Sequence, residues 1–156
     1  MFSMKAAPLM AAVGIALLPA AQASAPGARV HYVGGTGALT TQKVDGLLEL
    51  NGDDALVFAC HATALRIPYQ SINTLEYGEH VDRRYIEAIL ISPLMLLSKK
   101  RTHFLTIGFT DTEGHQQAMV FRVGSGQIRT LLVSLEAKTG RKVEYQDEEA
   151  RRSGKG

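Results

Sequence analysis

Five histidines and a single cysteine are the residues of this chain best suited to hold a metal ion or move protons. Imidazole and thiolate are common zinc ligands, and structural zinc sites take them at short, regular spacings. His31, His80, His103 and His115 instead fall in separate segments. Cys60 and His61 are adjacent, and neighbours in an extended strand leave it on opposite faces, so these two are poorly placed to share one ion. No metal site is expected. Nucleophilic catalysis fares no better. Gly124-Ser125-Gly126 lacks the Gly-x-Ser-x-Gly spacing of a nucleophile elbow and opens a helix after a hairpin, where capping accounts for it. Gly34-Gly35-Thr36-Gly37 lacks the Gly-Lys-Ser/Thr ending through which a phosphate loop supplies its lysine and metal-binding hydroxyl. Asp53 and Asp54 belong to a turn and Glu136 to a helix, which leaves no paired carboxylates for general acid–base work. These residue types point away from catalysis and imply no cofactor.

The segment Arg83 to Arg101 is the sharpest departure from an otherwise balanced composition. Arg83-Arg84 precede a largely apolar run, Tyr85 to Leu97, and Lys99-Lys100-Arg101 follow it. Glu87, Ser92 and Pro93 interrupt the run, which is too short to span a bilayer as a helix. It suits the headgroup region, with Leu94, Met95, Leu96 and Leu97 inserted and the basic flanks beside anionic lipid. It also suits a partner or oligomer contact, or a buried cover for the open end of a barrel. The candidate contact residues under the first two readings are Arg83, Arg84, Leu94, Met95, Leu96, Leu97, Lys99, Lys100 and Arg101.

Around these residues the chain reads mainly as strands. Ala28 to Val33 alternates as a short strand before the glycine-rich connection, and residues 24–42 are assigned to this N-terminal piece. From Lys43 the pattern is regular. Val44 to Leu50 and Ala55 to His61 flank Asn51-Gly52-Asp53-Asp54, where Asn-Gly tolerates the positive φ of a tight hairpin turn. Within the second of these strands Cys60 alternates with Leu56 and Phe58 and reads as a small buried hydrophobe. Leu65, Ile67 and Tyr69 continue with period two, and Ile72 to Tyr77 follows. Pro68 cannot donate to a ladder, so it marks an edge or a bulge. His103 to Thr110 and Gln116 to Val123 flank the turn Asp111-Thr112-Glu113-Gly114. Ile128, Leu131, Leu132 and Leu135 then recur at helical spacing, with Ser125 as the expected N-cap and Gly140 as the left-handed C-terminal cap. Gln146 to Gly156 is charged, lacks large apolar residues and reads as a disordered tail.

Antiparallel strands closed by one amphipathic helix follow the order of pleckstrin-homology-like barrels. Arg66-Ile67-Pro68-Tyr69, Ile72 and Leu75-Glu76-Tyr77-Gly78 resemble the third and fourth strands of bacterial PH-like or GRAM-like domains. His103 to Phe109, Phe121-Arg122-Val123 and Leu135 to Gly140 resemble their later strands and closing helix. Together these segments, over residues 43–145, look like a group of small exported bacterial proteins of unknown function. The resemblance implies a mainly β fold, a partly open barrel closed by its C-terminal helix. It also implies a binding scaffold that takes an extended peptide in the groove between the helix and the edge beside Pro68. Phosphoinositide-binding members carry lysines and arginines at the first hairpin loop. Asn51-Gly52-Asp53-Asp54 would repel such a headgroup.

Charge balance excludes a global nucleic-acid footprint, because 17 Lys+Arg stand against 15 Asp+Glu. One cysteine cannot form an internal disulfide. The N-terminus carries export features: Lys5, the apolar stretch Ala6 to Leu18, the helix breaker Pro19, then Ala21-Gln22-Ala23 before Ser24. As a helix the apolar stretch would reach about 20 Å against a hydrocarbon core of about 30 Å, which favours a cleaved signal, residues 1–23, over an anchor. Removing residues 1–23 from 156 leaves 133, the size of one domain. The expectation is an exported, periplasmic or extracellular, non-enzymatic module. It engages a protein or peptide partner near a membrane surface, with direct contact to anionic lipid or self-association as alternatives.

Overall fold

The computed structural model describes residues 27–36, 44–61, 63–81 and 102–155. The expected signal, residues 1–23, and the segment Arg83 to Arg101 lie outside the described residues. In chain order the strands are β1 (Ala28–Gly35), β2 (Val44–Glu49), β3 (Ala55–Cys60), β4 (Thr63–Pro68), β5 (Ile72–Gly78), β6 (His103–Thr110), β7 (Gln116–Val123) and β8 (Glu144–Tyr145). Two helices, α1 (Ser125–Thr139) and α2 (Glu148–Lys155), follow β7 and β8. The strands form one sheet in the order β4-β3-β2-β1-β7-β6-β5-β8. Only the β5–β8 pair is parallel. The fold is thus mainly β, and the sheet is not closed: among the described residues β4 and β8 are its edges. Pro68 ends the edge strand β4, as its missing N–H requires.

The sequence reading set the strand at Ala28 apart from a domain beginning at residue 43. The structure corrects this, because β1 stands near the middle of the sheet with β2 on one side and β7 on the other. Its pairing with Val120 to Val123 joins segments far apart in the chain, and local alternation carries no trace of such a partner. Val30 and Tyr32 on β1, Leu48 on β2, Leu56 and Phe58 on β3, Leu105 and Ile107 on β6 and Phe121 on β7 all enter one core. Phe58 and Phe121 stand three strands apart, about 14 Å along a flat sheet. Their ring centroids are 5.1 Å apart, so the sheet curls around the core. Gly46 allows this. A Cβ there would lie 2.5 Å from Phe58 Cε2, so the ring crosses β2 where no side chain stands. Cys60 is buried in the same core.

Helix α1 lays Ile128, Leu131, Leu132 and Leu135 against this core. Its N-cap is Gly124, one residue earlier than expected, with no side-chain hydrogen bond. Gly140 is the left-handed C-cap at φ 68, and its N–H donates to Glu136 O at 2.9 Å. From the last turn Lys138 Nζ donates to Asp53 Oδ1 at 2.8 Å and to Gly52 O at 3.2 Å. The hydrogen bond and charge of Lys138 hold the Asp53 carboxyl below its ordinary value, and Asp53 raises Lys138 in return. Positive φ among the described glycines occurs at Gly114 and Gly140 and not at Gly52, so the tight Asn-Gly turn is not formed. Residues 50–54 make a wider loop that Lys138 caps from the helix.

Gln146 to Gly156 is not a disordered tail over its described part. α2 packs against α1, β5 and β8, with Ala150 fully buried. Ala150 and Gly154, four residues apart on one helical face, supply a small-residue stripe that a search for large apolar residues overlooks. A Cβ on Gly154 would lie 2.6 Å from the Tyr145 ring. Gln146 anchors the start of this region, donating from its backbone to Tyr77 O at 3.1 Å and from Nε2 to Glu76 Oε1 at 2.9 Å.

Candidate binding cleft

Residues that alternate with the core positions stand on the outer face of the sheet. On β1 these are Arg29 and His31, since Val30 and Tyr32 point inward. The same alternation places Asp45 and Leu47 outward on β2, Ala59 on β3 and Arg122 on β7. With Val30, Gly46, Cys60 and His61, they line an open cleft of about 620 Å³.

Strand register orders the lining into two rows. His31 lies opposite Asp45 on one side and Arg122 on the other, giving the row Asp45, His31, Arg122. Arg29 lies opposite Leu47, which lies opposite Ala59. Arg29 and Arg122 are therefore diagonal neighbours across the β1–β7 pair, positions about 7–8 Å apart. His31 Nδ1 lies 2.7 Å from Asp45 Oδ1; with its proton on Nδ1 the imidazole donates to the carboxylate and keeps Nε2 as an acceptor. His61, in the β3–β4 turn, is the one described non-glycine residue with positive φ, at 49°. Histidine enters this left-handed region more readily than most side chains.

Among the described residues, two guanidiniums and two imidazoles share this lining with a single carboxylate. That carboxylate is already engaged by His31. Arg29 and Arg122 are exposed and have no ion-pair partner among the described residues, whereas Arg66 on β4 pairs with Asp54. The cleft is thus a cationic surface able to attract an anionic group. Cys60 packs into the core, whereas His61 is exposed in the turn that follows it. Among the described residues, no three His, Cys, Asp or Glu side chains are grouped to hold a metal ion.

Arg122 also marks a boundary. Its partner on β6 is Phe104, which belongs to a second buried cluster with Val33, Val81, Ala118 and Val120. The residues singled out in the sequence, Arg83, Arg84, Leu94, Met95, Leu96, Leu97, Lys99, Lys100 and Arg101, lie outside the described residues, between Val81 and Thr102. Sequence reasoning missed Arg29, His31, Asp45, His61 and Arg122 as a group. The alternation of Arg29 and His31 on one face of a strand was legible, but not which residues of other strands stood beside them. No described helix is long and apolar enough to cross a membrane. No family model matches the chain, and no curated protein matches it.

Proposed function

We propose that this chain is an exported, non-enzymatic binding module on a PH-like or GRAM-like scaffold, engaging a protein or peptide partner near a membrane surface. The observation that carries the reading is the free edge of β4. Among the described residues no strand pairs with its outer side, and Thr63, Ala64, Arg66 and Pro68 along it are exposed. An unpaired edge presents backbone donors and acceptors that an extended peptide satisfies by adding a strand. The 3-10 turn Tyr69–Ser71 that follows β4 packs against α1, which brings the helix to the end of that strand. Export is supported by the N-terminal charge, apolar stretch and Ala-x-Ala site. Nearness to a membrane is supported by the apolar run and basic flanks of Arg83 to Arg101.

The test is crosslinking and affinity capture of the tagged protein from its native envelope, with the N-terminus read by mass spectrometry. The expected result is a chain beginning at Ser24 with one recurrent protein neighbour. Sedimentation with anionic vesicles and no protein neighbour would replace this reading with lipid contact. Adducts of the chain only with itself would replace it with self-association.

A further inference from the structure

We propose that the cleft between Arg29 and Arg122 reads an acidic, extended segment of the partner protein, one carrying carboxylates at alternating positions. The inference rests on the reading of the chain as a peptide-binding module and names the chemistry of its partner. Side chains two residues apart in an extended chain share a face and repeat about every 6.6–6.8 Å. The diagonal positions of Arg29 and Arg122 are separated by about 7–8 Å, close to that repeat. Each guanidinium presents a planar fork that matches a carboxylate in two parallel hydrogen bonds.

The surroundings favour this occupant over free solvent alone. Neither arginine has an ion-pair partner among the described residues, and the only lining carboxylate, Asp45, already meets His31 across the strand pair. His31 and His61 stand in the same lining. Leu47 and Ala59, half-buried in the row of Arg29, provide an apolar floor beside the charged positions. The cleft reaches the β3–β4 turn through His61, so a segment held here continues toward the β4 edge.

Fluorescence anisotropy of the purified protein with three labelled peptides tests the proposal. One alternates glutamate with threonine, the second replaces glutamate by glutamine, and the third spaces its glutamates three residues apart, which sends successive carboxylates to opposite faces. Only the first is expected to bind well at low ionic strength, and added salt weakens it. Arg29→Gln and Arg122→Gln are each expected to weaken binding about tenfold, the scale of one hydrogen bond to a charged group. Both variants should keep the unmutated thermal midpoint, because the side chains are exposed. Arg152→Gln removes the same charge from α2, away from both the lining and the β4 edge, and should leave binding unchanged. The proposal is overturned if no acidic peptide binds, if the three-spaced peptide binds as well, or if Arg152→Gln weakens binding equally. Persistent partner capture at β4 by the Arg29→Gln/Arg122→Gln protein would sink this inference alone; failure of capture by the unmutated protein would sink the parent reading.

Discussion

Across the β1–β2 pair, His31 Nδ1 lies 2.7 Å from Asp45 Oδ1, and the two residues are directly opposed in register. Among the described residues, Asp45 is the only carboxylate in a lining that otherwise carries Arg29, Arg122, His31 and His61. Its charge works against any acidic ligand. Asp45→Asn keeps a side-chain oxygen facing His31 and removes that repulsion, so affinity for the alternating glutamate peptide should rise about two- to fivefold, as expected for one exposed charge. Titration of the variant beside the unmutated protein checks this. A lower affinity would mean that Asp45 orients the site rather than opposing the ligand.

Leu131 and Leu135 are buried on the inner stripe of α1, whereas Val133 on the same helix is 64% exposed. Leu→Ala at a buried site typically costs about 2–5 kcal/mol. Leu131→Ala and Leu135→Ala should each lower the denaturation midpoint clearly, while Val133→Ala leaves it nearly unchanged. Equal effects at all three positions would show that the helix does not pack by this stripe.

What was legible in the sequence follows the range of the forces involved. Alternation located β3 and β4, the turn Asp111 to Gly114 located β6 and β7 on either side of it, and the spacing of Ile128, Leu131, Leu132 and Leu135 located α1, because those signals are local. Gly140 was legible as a cap for the same reason. The central place of β1 was not, since its partners Val120 to Val123 lie far along the chain. The hairpin across Asn51 to Asp54 was legible, but not that Gly52 would lack a positive φ while its carbonyl accepts from Lys138 on α1. α2 was missed because it buries Ala150 and Gly154 rather than large side chains. The cleft stayed hidden because it is a property of register: Asp45, His31 and Arg122 form a row only when three strands are laid side by side.

Ala150 is fully buried where α2 meets the body of the protein. Ala150→Asp places an unpaired carboxylate there and should detach the helix, since burying such a group without a partner is strongly unfavourable. Amide exchange of residues 148–155 should become fast in the variant while β6 and β7 remain protected. Equally fast exchange of these residues in both proteins would restore the picture of a disordered tail.

Asp111 organises the β6–β7 loop. Its Oδ2 accepts from Gln117 Nε2 at 2.8 Å, and its Oδ1 accepts from the backbone N–H groups of His115 at 2.8 Å and Glu113 at 2.9 Å. The Gln117 bond, followed by the His115 backbone, holds the carboxyl below its ordinary 3.8. A carboxyl lowered in the fold contributes stability above its unfolded value and loses it as the pH falls through the folded one. Thermal midpoints measured from pH 5 to below 3 should therefore fall less steeply for Asp111→Asn than for the unmutated protein. Parallel curves would contradict a role for this carboxylate in acid stability.

The free edge of β4 is tested most directly by a photo-reactive residue at Ala64, exposed on that strand, irradiated in the native envelope with Val133 on α1 as the reference position. A partner that adds to the edge should give one discrete protein adduct from Ala64 and none from Val133. Absence of an adduct at Ala64, or the same adduct from both positions, would contradict engagement of a partner at this edge.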